Sequence, residues 1–122
     1  MYKKRRWILL EHTDCPDDPN GIHFDLLLED QDVCRSWRLK EKLILDGTAQ
    51  EAVLIDVHRL EWLSVSSREV SEGRGWARRV MGGFYYGDLP IYETDGIHIE
   101  ISTHEFFGIL EIKNCMCHLS SV

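Results

Sequence analysis

The chain has 122 residues, 43% of them hydrophobic, with 21 acids against 14 bases and a net charge of −7. That length suits one domain with a packed core, which argues against disorder, and no apolar run approaches the roughly 20 residues needed to span a bilayer. The acidic balance argues against broad, non-specific adhesion to nucleic acid. Local basic patches remain open, at Lys3-Lys4-Arg5-Arg6 and at Arg74, Arg78 and Arg79.

The opening MYKKRRWILLEH imitates a secretory signal for only four apolar residues before Glu11 and His12 interrupt it, so a cytoplasmic location with no membrane partner is expected. A first strand covers about Trp7 to His12, with His12 on the face of Ile8 and Leu10. The stretch TDCPDDPNG (13–21) is a loop by its prolines, aspartates and glycine. Next, Ile22, Phe24, Leu26 and Leu28 alternate with His23, Asp25 and Leu27, the period of two of a strand. His23 and Asp25 therefore project together from one face. CRSWRL (34–39) follows as the second arm of a hairpin.

AVLIDVH (52–58) alternates again and, if the strand runs on, places Leu60 and Trp62 on the His58 face. Residues 64–75 read as an irregular excursion. A strand near Trp76 to Met81 leads to a kink at Gly82-Gly83. IHIEIS (97–102) is the cleanest alternation, and a last strand covers about Phe106 to Ile112. No window carries a helical period, so many short strands predict an all-β fold. The expected architecture is a small antiparallel β-barrel, one domain within 1–122. Its barrel covers about 7–114, between a short basic N-terminal tail and a Cys/His C-terminal tail.

The four cysteines fit reduced thiols, because a domain of this size needs no disulfide staples. Cys115-Met116-Cys117-His118 lacks a second well-spaced pair of metal ligands and reads as a fraying strand end. His98, His104 and His118 read as structural or exposed. His12, His23 and His58 differ, because each stands beside another polar group on an otherwise apolar strand face or end. If the first two strands pair, His12, His23 and Asp25 converge, and such a mixed N/O set suits Mn2+, Fe2+ or Zn2+. Two schemes use these residues. In one they hold the metal while His58 handles a proton or phosphate. In the other, His23, Asp25 and His58 form the facial triad of an iron oxygenase, with Arg68 gripping a carboxylate co-substrate.

Glu11-His12, IHFDLLLE (22–29), Arg35-Ser36-Trp37, the segment from Asp56 through His58 to Trp62, Glu72-Gly73 and the ending from Gly96 to Lys113 with Gly108 stand in a recognisable order. Together they resemble the 3′-phosphoesterase domain of bacterial DNA ligase D, in a stand-alone form, over about Trp7 to Asn114. The resemblance implies a β-barrel that uses Mn2+ to trim DNA 3′ ends, removing a terminal ribonucleoside and then a 3′-phosphate. Carried over by motif, the metal ligands are His12, His23 and Asp25, and the further catalytic histidine is His58, with Asp56 two residues before it. Partners implied are DNA or RNA/DNA 3′ ends and a separately encoded ligase or polymerase.

Three departures accompany it. The His12–His23 loop is longer, Leu27 stands where the family has a phosphate-contacting arginine, and Trp62 replaces a tyrosine. Losing one such arginine is expected to cost on the order of a hundredfold in rate, and Arg35, Arg38, Arg59 and Arg74 are the candidates to supply the missing charge. Trp62 could stack on a sugar or base. The expected function is a metal-dependent 3′-end phosphoesterase of DNA repair. The alternatives are a catalytically weak binding module on the same barrel and, further off, the iron oxygenase.

Overall fold

Strand alternation is realised from the first residues of the computed structural model, which describes residues 4–13, 16, 21–70, 73–92 and 95–122. β1 (Arg5–Thr13) and β2 (His23–Asp30) pair antiparallel with Ile8 opposite Leu27, Leu10 opposite Asp25 and His12 opposite His23. β2 turns through Gln31 and Asp32, with Gln31 at φ +60°, into β3 (Val33–Leu39), the expected hairpin. Then come β4 (Gln50–Glu51), β5 (Val53–Arg59), β6 (Ser67–Glu69), β7 (Trp76–Tyr86), β8 (Ile97–Ser102), β9 (Phe107–Lys113) and β10 (Met116–Ser121).

All ten strands form a single antiparallel sheet, in the order β4-β10-β9-β8-β7-β1-β2-β3-β5, with β6 added beside β7. The expected all-β fold is therefore present, but among the described residues the sheet has two ends and strand pairing does not close it into a barrel. Both ends come from one stretch of chain: β4 pairs with β10 and β5 pairs with β3. Between them Ala52 sends its N–H to the Cys115 carbonyl at 2.8 Å.

One face carries the main core. Trp7 and Leu9, Leu26 and Leu28, Trp37 and Leu39 pack there against Ile97, Ile99, Ile101, Leu110 and Leu119. Each such side chain contributes roughly 1.5–3 kcal/mol by leaving water. The other face of β1–β3 carries a smaller cluster, Ile8, Leu10, Leu27, Cys34 and Leu63. Its lid is a 3-10 turn, Leu60–Ser64, where a continuing strand was expected. With three residues per turn, Leu60 and Leu63 fall on one side and cover the cluster.

Three further expectations change. The irregular 64–75 segment contains β6, paired with β7. Gly82 and Gly83 lie inside an unbroken β7, and the irregularity falls instead near Val80, where the register slips opposite Leu9 and Leu10. The Cys/His tail does not fray: Asn114 and Cys115 make a tight turn at φ +52° and +62°, and β10 follows with Leu119 and Cys117 buried. No helix among the described residues is long and apolar enough to cross a membrane.

Candidate metal centre

The polar end of the smaller face is where the site forms. His12 stands near the end of β1 and His23 at the start of β2, directly opposite each other, with Nδ1 of His12 2.8 Å from Nε2 of His23. The other nitrogen of His12 lies 2.9 Å from the Arg74 carbonyl oxygen. A carbonyl can only accept, so Nε2 of His12 carries the hydrogen and Nδ1 keeps its lone pair for a ligand, the outer-shell arrangement usual for a metal-binding imidazole.

Asp25, two residues along β2 and only 5% exposed, completes the group. Its Oδ1 lies 3.8 Å from Nε2 of His23 and 3.3 Å from Nε of Arg38, and its Oδ2 lies 3.9 Å from Nε2 of His58. One ligand atom from each of His12, His23 and Asp25 falls within 4.8 Å of the others, so the three could hold a metal ion. Two nitrogens bound to one ion at about 2.0–2.1 Å stand about 2.9–3.4 Å apart, depending on the angle. The imidazoles need to open by only tenths of an ångström, and the carboxylate needs to move inward. The fit is good.

His58, on β5, reaches the same place from the opposite side. Its Nδ1 is 2.7 Å from the Ser36 hydroxyl, and Nε2 is left on the Asp25 side. Burial pushes its pKa below the usual histidine value, while the Asp25 carboxylate and the Asp56 backbone carbonyl pull the other way. Asp56 thus reaches His58 through its main chain, and its exposed side chain lines the cavity.

That cavity, about 730 Å3, holds His12, Asp25, Arg38, His58, Trp62, Arg68 and Arg74 in its wall. Trp62 meets the His58 ring edge-on at 6.4 Å, and the Arg68 guanidinium lies over its indole at 4.5 Å while pairing with Glu61 at 3.5 Å. Of the cations named from sequence, Arg38 is beside the carboxylate and Arg74 contributes the carbonyl under His12. Arg59 is at the rim, highly exposed and paired with Glu61 at 3.9 Å. Arg35 sits elsewhere, held by Asp30 at 2.7 Å and the Pro90 carbonyl at 2.6 Å. Leu27 is fully buried beneath the 3-10 turn and does not line the cavity.

Arg68, named in the oxygenase scheme, does line the cavity, and Ser36 is the group that strand patterning did not assign to this site. Alternation places Ser36 on the Cys34–Arg38 face of β3, two residues from each, and that signal could have found it. Acids 14, 17 and 18 of the long loop, Cys15, and Glu72 lie outside the described residues. Among those described, Cys115 is exposed and Cys117 is buried with its thiol pushed up to about 12. The two belong to no metal-holding group among the described residues. His98 is an exposed partner of Glu111 at 3.2 Å. No family model matches the chain, and no curated protein shows significant similarity to it.

Proposed function

We propose that the chain is a metal-dependent phosphoesterase acting on the 3′ ends of nucleic-acid strands, removing a 3′-phosphate or a terminal ribonucleotide. The observation that carries this is the convergence of two imidazoles and a buried carboxylate, with Nε2 of His58 3.9 Å from that same carboxylate. Mn2+ comes first as the ion, with Zn2+ or Fe2+ as alternatives for two nitrogens and one oxygen. Once bound, it would polarise a phosphate oxygen as a Lewis acid.

The chain's own residues supply the rest. His58 gives or takes a proton at the oxygen being cleaved, through Nε2. Arg38, with a half-exposed side chain on the carboxylate's flank, meets the negative charge that develops on phosphate. It takes the place of a cation at Leu27, which is sealed into the apolar cluster. The layered Trp62 and Arg68 pair offers a flat surface to a sugar or base. The cavity wall carries four arginines against three acids, Asp25, Asp56 and Glu61, so it is slightly positive in an otherwise acidic protein, which favours an anionic ligand over the rest of the surface.

The test is turnover of a DNA primer ending in a 3′-phosphate or a single 3′-ribonucleotide, with Mn2+ supplied. Activity should vanish with His12→Ala, His23→Ala and His58→Ala. Tight metal binding with no turnover under any divalent ion would overturn it. A second reading, a binding module without catalysis, is favoured by the buried Leu27 and by the absence of a hydroxyl at Trp62. Retention of such a strand without cleavage would select it.

A further inference from the structure

We propose that Ser36 is the positioning residue of the site, fixing His58 in the tautomer with hydrogen on Nδ1, so that the lone pair of Nε2 faces the cavity. Ser36 is fully buried, and its hydroxyl has two neighbours: the Cys34 carbonyl at 3.1 Å and Nδ1 of His58 at 2.7 Å. A hydroxyl donates one hydrogen only. The carbonyl cannot donate, so a hydroxyl that gives its hydrogen there accepts from Nδ1–H. Both neighbours are then satisfied, which buried polar groups require.

Local strand geometry brings the two side chains together. The β3–β5 register slips between Cys34 and Ser36, so that Cys34 faces His58 but Ser36 faces Ile55. β5 therefore carries one extra residue at this point. A bulge of this kind re-aims a side chain, and here the imidazole comes to lie over the serine. The imidazole thereby supplies a polar partner to a fully buried serine that stands opposite Leu27 in the β2–β3 register.

The catalytic half of this inference rests on His58 handling the proton at the phosphoester; the tautomer does not. Histidine-15N protein, metal-free and at a pH where the ring is neutral, reports the protonated nitrogen of His58 in long-range 1H–15N spectra. The wild type should show Nδ1–H. Ser36→Ala should give a mixture of tautomers, and Ser36→Thr, which keeps the hydroxyl, should restore the wild-type pattern. In turnover, Ser36→Ala should lower kcat roughly tenfold to a hundredfold with KM and metal affinity unchanged, and threonine should recover most of the loss.

A wild-type His58 protonated on Nε2, or a Ser36→Ala spectrum identical to wild type, overturns the proposal. The wild-type spectrum decides even where the alanine variant does not fold. A tautomer that follows Ser36 in a protein with no turnover supports the positioning role and removes the phosphoesterase reading instead.

Discussion

Arg38 and Asp25 face each other across β2 and β3, and their contact sets the charge balance of the site. The guanidinium steadies the carboxylate, yet it competes with any cation for the same Oδ1. Arg38→Met should therefore act in two directions. Divalent-ion affinity, read by calorimetry, should rise a few-fold, because about 1 kcal/mol of competing attraction is gone. If the proposed phosphoesterase function holds, turnover should fall about a hundredfold, because the phosphate would lose its cation. Falling affinity and falling turnover together would assign Arg38 to the structure of the site alone.

Leu27 gives the complementary case. Restoring a cation with Leu27→Arg should not rescue phosphate binding, because the position lies under the 3-10 turn and admits no water. An unpaired charge there should cost more than about 3 kcal/mol and lower the melting temperature sharply. His12, His23 and Asp25 were legible in the sequence because alternation assigns each side chain a face before any pairing is known. Ser36 was on that face too, but its role depends on a register slip in another strand, which no local pattern encodes.

The elements divide along the same line. Strands such as IHIEIS keep one face in the core and one in water, so β8 reads directly from its residues. The 3-10 turn does not. Leu60, Trp62 and Leu63 fit a strand or a turn by period, and only the apolar patch of Ile8, Leu10 and Leu27 that the turn covers, on another part of the chain, decides. The paired glycines of β7 make no kink. Gly83 is required by proximity: a Cβ there would stand 1.8 Å from the Ser102 carbonyl oxygen, which also accepts the Trp7 indole hydrogen at 3.1 Å. Gly82 faces only the flexible end of Arg79, 2.5 Å from an added Cβ. Gly83→Ala should force β7 from β8 and destabilise the fold by several kcal/mol, while Gly82→Ala should stay within about 1 kcal/mol of wild type. Paired denaturant titrations of the two variants test this directly.

Across the whole molecule, a single sheet serves two purposes with its two faces. One face of β1, β2 and β3 belongs to the main core, and the other ends in the imidazoles and the carboxylate. Because these side chains sit on strands that also build the core, any metal binding there would be linked to folding. An ion that binds the folded chain and not the unfolded one stabilises by RT ln(1 + [L]/Kd), about 2.7 kcal/mol at one hundred times Kd. For a chain of this length that corresponds to a rise of roughly 10 °C in melting temperature. Mn2+, and Zn2+ where it does not precipitate the protein, should therefore raise Tm in a saturable way, and Mg2+, which prefers oxygen ligands and its own water, should do much less. The rise should disappear in His12→Ala and His23→Ala, while substitution of an exposed histidine on a strand outside the site, His98→Ala on β8, should retain it. An unchanged Tm across all three ions would mean that the His12–His23 contact is a hydrogen-bonded imidazole pair joining two strands. The proposed chemistry would then fall to His58 and the arginines alone.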